Sequence, residues 1–294
     1  MFQGTFTALV TPFRDGQFDE AAFRQLIDSQ IAAGITGIVP VGTTGESPTL
    51  DHPEHLRVIE LAVETAAGRC LVIAGTGSNS TAEAVSLTIE AEKLGANAAL
   101  SVAPYYNKPS QEGIYRHFCK IAEATKLPIV LYSIPGRCGI EIGVETVARL
   151  ARTCSNIVAI KEAGGSVERV SALRAALPDS FEILSGDDSL TLPFIAAGAV
   201  GVISVASNLI PAEVGELVRA ALAGDLTRAR SLHGRLYPLF KDIFIEPNPV
   251  PIKHALAHAG RLPSAEVRLP LCEMPLVSAA RLESTLQALG LTKA

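Results

Sequence analysis

Two hydrophobic patterns alternate along the chain. Short, nearly continuous apolar runs rich in β-branched residues recur about every 20 to 35 residues, and between them the apolar positions return every three or four residues. The runs predict eight strands, at Thr5–Pro12, Gly37–Gly42, Leu71–Gly75, Ala98–Ala103, Ile129–Ile134, Ile157–Lys161, Phe181–Ser185 and Gly201–Val205. The clearest intervening helices are Glu20–Ala33, Glu54–Ala67, Thr81–Leu94 and Val144–Arg152. Strands that are apolar on both faces belong to a parallel sheet covered on its outside, and eight βα units is the closure number of the (β/α)8, or TIM, barrel. An open doubly wound sheet is the alternative architecture.

Local chemistry supports the helix positions. Asp51-His-Pro-Glu54 and Ser80-Thr-Ala-Glu83 both read as capping boxes, and Gly34, Gly68, Gly95 and Gly198 stand where left-handed caps close helices. After about residue 224 the strand signal stops while helical patterns continue at Leu226–Ile243, Val250–Ala259 and Val277–Leu289. The expected organisation is therefore a catalytic α/β barrel over residues 1–224 and a C-terminal helical appendage over 225–294, joined without a low-complexity linker.

Composition narrows the function. The 294 residues carry 25 Lys and Arg against 30 Asp and Glu, a formal charge of −5, with no basic block suited to nucleic acid or to an anionic membrane. No apolar stretch approaches the roughly 20 residues of a bilayer span, and the amino terminus lacks the pattern of a signal peptide. Cys70, Cys119, Cys138, Cys154 and Cys272 are odd in number and scattered, which fits reduced thiols in the cytoplasm. With no Trp and only five Tyr, each tyrosine position matters.

In a parallel barrel the chemistry lies at the carboxyl ends of the strands. The sixth strand ends in Ile160-Lys161-Glu-Ala, and a lysine set among apolar residues loses its proton readily and can attack a ketone. A plain strand-end lysine reaching solvent is the other reading. The second strand runs into Gly42-Thr43-Thr44-Gly45-Glu-Ser, with hydroxyls able to relay a proton and glycines that admit a ligand, though an ordinary βα turn would look similar. Tyr105 and Tyr106 follow the fourth strand; Tyr132 and a Pro-Gly-Arg137 loop follow the fifth. Arg137 is suited to holding a carboxylate bidentately. Metal chemistry is not expected: His52/His55 and His254/His258 lack the glutamate of a His-Glu-x-x-His site, and Asp187-Asp188 reads more simply as a helix cap than as an ion site.

Taken in order, Gly42-Thr-Thr-Gly-Glu-Ser, Tyr105-Tyr-Asn, Tyr132 with Pro-Gly-Arg137, Ile160-Lys-Glu-Ala, Ser185-Gly-Asp-Asp and Glu246-Pro-Asn-Pro span nearly the whole chain. The set resembles the dihydrodipicolinate synthase (4-hydroxy-tetrahydrodipicolinate synthase) family of the pyruvate-dependent class I aldolase superfamily. The resemblance implies a lyase of lysine and diaminopimelate biosynthesis, which condenses pyruvate with L-aspartate 4-semialdehyde through a Schiff base on Lys161 and needs no cofactor. It implies a proton relay of Thr43, Tyr132 and Tyr106, the last reaching into the neighbouring subunit of an oligomer, most often a homotetramer built as a dimer of dimers. It places Thr44 on the pyruvate carboxylate, Arg137 on the semialdehyde carboxylate, and Gly186 and Ile203 along the site. Other pyruvate aldolases, such as N-acetylneuraminate lyase, are the nearest rivals, and Arg137 is the residue that argues against that lyase. A catalytically silent barrel binding a small acid is a more distant one.

In lysine-inhibited members a regulatory site corresponds to Ser47, His52, His55, Asn79, Glu83 and Tyr105, so L-lysine is a candidate inhibitor. Ser133 and Cys138 depart from the more usual Asn and Thr beside the catalytic set, and Pro48 departs beside the regulatory one.

Overall fold

The computed structural model describes residues 1–292; residues 293 and 294 of the expected appendage lie outside the described residues. Eight parallel strands close into a barrel: β1 (Gly4–Ala8), β2 (Gly37–Val39), β3 (Leu71–Gly75), β4 (Ala98–Val102), β5 (Ile129–Ser133), β6 (Ile157–Glu162), β7 (Glu182–Ser185) and β8 (Gly201–Ser204). Each pairs with its neighbours in sequence, and β1 with β8 completes the ring. The barrel expectation holds over the open sheet.

Alternation along the strands sorts the side chains. Phe6, Ala8, Val39, Ile73, Leu100, Val130, Tyr132, Ala159, Leu184 and Ile203 form one buried cluster inside the barrel. Their neighbours Leu131, Ile160 and Ile183 belong to a second cluster beneath the surrounding helices. This double coverage is why the strands read as continuous apolar runs.

The outer layer is α1 (Glu20–Ala32), α2 (His52–Ala66), α3 (Thr81–Lys93), α4 (Gln111–Glu123), α5 (Val144–Thr153), α6 (Val167–Ala176), α7 (Thr191–Ala196) and α8 (Pro211–Leu222). Asp19, Asp51, Ser80, Ser110 and Ser166 cap the amino ends of α1, α2, α3, α4 and α6 with their side chains. The two expected capping boxes are only half made. Asp51 and Ser80 accept from the third residue's N–H, but Glu54 turns to Arg268, and Glu83 turns to Ser78 and His52.

The first two strands are shorter than their apolar runs. Residues 9–12 leave the barrel toward a small ribbon, Phe13–Arg14 with Gln17–Phe18. After Val39 the chain turns sharply, with Val41 at φ +50°, a left-handed conformation that a β-branched residue rarely adopts. Helices α9 (Leu226–Asp242), α10 (Val250–His258) and α11 (Leu276–Ala288) follow the barrel. Leu236, Phe240, Ile252, Leu256, Leu282 and Leu286 share one buried cluster with Phe23 of α1, Ile59 of α2 and Val214 of α8. No helix among the described residues is long and apolar enough to cross a membrane.

Candidate active site

Strand register brings the central pair together. Tyr132 on β5 is paired with Lys161 on β6, and Lys161 with Leu184 on β7, so all three belong to one inward-facing layer. The Lys161 Nζ stands 4.2 Å from the centre of the Tyr132 ring. Burial pulls the Lys161 pKa down to about 7, with Asp188 opposing the shift and Arg137 adding to it. A neutral amine is thus accessible near neutrality, at a position where an ordinary lysine would be almost wholly protonated. Burial also pushes the Tyr132 phenol up to about 12, although the nearby Thr43 hydroxyl and the Arg137 charge pull the other way. The phenol therefore stays a neutral hydroxyl, able both to donate and to accept.

Gly186 makes this packing feasible. A Cβ there would stand 2.7 Å from Ala163 Cβ and 3.1 Å from Lys161 Cε, so any side chain displaces the lysine. Thr44 is buried and its hydroxyl accepts from Asn248 Nδ2 at 3.0 Å; the Asn248 carbonyl accepts from Arg137 at 3.3 Å. Arg137 itself is exposed, on the single helical turn Pro135–Cys138. Ile203 is fully buried in the barrel interior.

A cavity of about 420 Å³ opens above this layer. Thr43, Tyr132, Arg137 and Cys138 line it, together with Ser47, Pro48, His52, His55, Glu83 and Tyr105. Lys161, Thr44, Gly186 and Ile203 are not among its lining residues. Asn79 is also absent; its neighbour Ser78 lines the cavity instead and donates to Glu83. His52 meets the same carboxylate at 2.5 Å, and these contacts, Ser78 first, hold the Glu83 pKa below the usual range. Burial lowers the pKa of His55, whose Nε2 faces the Gly75 carbonyl at 2.8 Å. Because a carbonyl only accepts, Nε2 carries the hydrogen, which leaves Nδ1 to face Ser47 Oγ.

Tyr106 stands apart from this cavity. It is 89% exposed, has φ +69° and is not among the residues lining the cavity, whereas Tyr105 is.

A family model described as the dihydrodipicolinate synthetase family matches residues 1–289. The chain belongs to the dihydrodipicolinate synthetase family. A 4-hydroxy-tetrahydrodipicolinate synthase of Syntrophobacter fumaroxidans is 53% identical over 291 residues, covering 99% of this chain and 100% of that one. The solved 4-hydroxy-tetrahydrodipicolinate synthase of Methylacidiphilum fumariolicum SolV superposes with a TM-score of 0.97 at 56% identity, over 98% of this chain and 96% of that one. A lysine-bound structure from Cyanidioschyzon merolae matches with a TM-score of 0.96 at 42% identity, over 99% of both chains.

Within this dihydrodipicolinate synthetase fold, several buried groups have no linear signature. Asp188 is buried and accepts from Ser204 Oγ and from the Val205 and Ala206 N–H groups; burial nevertheless raises its pKa to about 6. Asp187 does act as a cap, accepting from Ser189, so the reading of this dipeptide as a cap fits only its first residue. Glu46 and Lys253 form a fully buried ion pair at 2.5 Å although 207 residues separate them. Glu46 also accepts from the Arg268 N–H, which anchors the Thr43–Thr44 loop to the C-terminal region. Asn248 explains part of the Glu246-Pro-Asn-Pro run, since it bridges Thr44 and Arg137. Of the departures beside the catalytic set, Ser133 is buried with its Oγ on the Ile142 N–H, while Cys138 lines the cavity and burial raises its thiol to about 11.

Proposed function

We propose that the chain condenses pyruvate with L-aspartate 4-semialdehyde, as a Schiff-base-forming lyase of the 4-hydroxy-tetrahydrodipicolinate synthase type, the committed step toward diaminopimelate and lysine. The observation that carries this reading is the buried Lys161 amine, its pKa drawn to about 7, packed on Tyr132 beneath the cavity.

In this reading neutral Lys161 attacks C2 of pyruvate, and the carbinolamine loses water to give an iminium. The cation then acts as the electron sink while a C3 proton leaves. The resulting enamine carbon bonds to the aldehyde carbon of the semialdehyde. The amino group of that substrate closes the ring at C2, and Lys161 departs as an amine. Every electron pair is supplied by the two substrates and the lysine, so no cofactor enters.

Tyr132 and Thr43 carry protons to and from the carbinolamine and the new alkoxide. Thr44 orients the pyruvate carboxylate, with Gly186 and Ile203 forming the adjacent wall, and Arg137 receives the semialdehyde carboxylate. Tyr106 serves a neighbouring copy of the chain; its exposure supports that role and, with it, a homo-oligomer such as a dimer or a tetramer of paired dimers. Residues 1–224 act as the catalytic unit and the C-terminal helices as its support. L-lysine binds beside Glu83 in the cavity as an inhibitor, its ammonium on the Glu83 carboxylate. The five free cysteines, with Cys119 and Cys154 unbonded although their sulfurs stand 3.6 Å apart, support a cytoplasmic setting.

Borohydride quenching in the presence of pyruvate tests the chemistry. A pyruvate adduct on Lys161, found by peptide mass spectrometry and missing in Lys161→Ala, is the expected result; binding of pyruvate without an adduct overturns it. Rates with aspartate semialdehyde against keto-sugar acids, in wild type and Arg137→Ala, then separate this activity from that of other pyruvate aldolases.

A further inference from the structure

The C-terminal helices bring together donors that the linear sequence keeps apart. His254 and His258 are four residues apart on α10, so both imidazoles project from one face. The residue between them on a His-Glu-x-x-His pattern is absent, yet α11 supplies a carboxylate from outside the helix. Glu283 Oε1 is 2.9 Å from His254 Nε2 and 3.5 Å from His258 Nδ1, and the two rings stack with centroids 6.3 Å apart. One ligand atom from each of the three residues falls within 4.8 Å of the others.

These separations fit a small divalent ion. Donor atoms around tetrahedral zinc, with bonds of about 2.0–2.1 Å, stand about 3.3–3.4 Å apart. The two Glu283–histidine spacings bracket that value, and the two histidine donors lie within 4.8 Å of each other, so a modest closing of the three side chains suffices to seat the ion. Two imidazoles and one carboxylate also match the borderline character of zinc and its neighbours, whereas magnesium and calcium favour all-oxygen sets. Each side chain is partly accessible, at 25%, 31% and 40% for His254, His258 and Glu283, which leaves an approach for the ion and a fourth position for water.

We propose that His254, His258 and Glu283 form a binding site for a divalent transition-metal ion, with Zn2+ as its type, which clamps α10 to α11. The clamp lies one residue from Lys253, the buried partner of Glu46 in the Thr43–Thr44 loop, and α10 begins two residues after Asn248. The ion would therefore fasten the helix that supports the active-site loop without touching substrate.

The test uses the full-length protein, freed of metal by chelation and titrated with Zn2+ calorimetrically and with Co2+ by visible absorption. The expected result is one ion per chain with a dissociation constant of about 10 µM or tighter, an intense visible Co2+ band of low coordination number, and a melting temperature that rises with Zn2+. His254→Ala/His258→Ala should abolish all three responses, and Glu283→Gln, the milder change, should weaken Zn2+ binding at least tenfold. His52→Ala, which alters the separate His–Glu pair at the cavity, should leave the titration unchanged. Unaltered binding in the double variant and in Glu283→Gln, or no binding tighter than about 100 µM in the wild type, overturns the proposal and leaves the cluster a simple His–carboxylate pair.

Discussion

Lys161 should be a liability to the fold in proportion to its value for chemistry. Its pKa of about 7 lies 3.5 units below the ordinary 10.5, and at 1.36 kcal/mol per unit that is about 5 kcal/mol favouring the neutral form. Because the folded-state value is depressed, the unfolded chain binds more protons between pH 7 and 10.5, so this residue's contribution to stability improves as pH rises through that window. Below pH 7 the full penalty of about 5 kcal/mol applies, at pH 8 about 3 kcal/mol remains, and above pH 10.5 it vanishes.

Replacing the amine by an apolar chain of similar length, Lys161→Met, should therefore raise stability by up to about 3 kcal/mol at pH 8, and by more at pH 6, while ending catalysis. Denaturant unfolding at both pH values measures the first effect. For the wild type, the initial rate of borohydride-trapped adduct at subsaturating pyruvate should fall about tenfold per pH unit on the acid side of pH 7 and level off above it. A lysine of ordinary pKa would still be gaining rate at pH 9. A midpoint at or above pH 9, or a Lys161→Met variant less stable than the wild type at pH 6, would refute the argument that burial sets this amine.

Four further outcomes follow from named contacts. Gly186→Ala drives a methyl group against Ala163 and Lys161 and should lower kcat at least tenfold with a stability loss of about 1–3 kcal/mol, read by kinetics and thermal melting. Lys253→Met strands the Glu46 carboxylate in the interior and should cost about 3–5 kcal/mol, with much of the loss recovered in Lys253→Met/Glu46→Leu. Arg137→Ala should raise KM for the semialdehyde by about 10- to 100-fold, as expected for a lost charged hydrogen bond, while the pyruvate adduct still forms. Glu83→Gln should remove lysine inhibition in a steady-state titration; unchanged rates in the wild type up to millimolar lysine would end that reading.

What could be read from the sequence has a physical boundary. The barrel was legible because covered parallel strands must be apolar on both faces, and Lys161 stood out as the charged residue that interrupts such a run. Arg137 and the Thr43–Thr44 pair were legible because strand ends announce themselves with Gly and Pro. The end of β2 was not: Val41 looks like a continuing strand residue and instead takes a left-handed turn. Glu54 and Glu83 looked like capping-box partners, but stronger tertiary partners at Arg268, Ser78 and His52 draw them away. Asp188, Asn248 and the Glu46–Lys253 pair carry no local pattern at all. Their meaning lies in residues brought near only by closure of the barrel and return of the C-terminal helices.

The Glu46–Lys253 pair also sets an order of events at synthesis. At elongation rates of about 5–20 residues per second, Lys253 is made roughly 10–40 s after the glutamate it must neutralise. During that interval the loop bearing Thr43 and Thr44 has no buried counterion to hold it, and β1 waits for most of the same time for β8. A nascent chain on the ribosome therefore carries Lys161 well before the Thr43–Thr44 loop has its buried counterion. The loop is completed late, with the arrival of the last quarter of the polypeptide, and a message truncated before Lys253 leaves Glu46 without its partner.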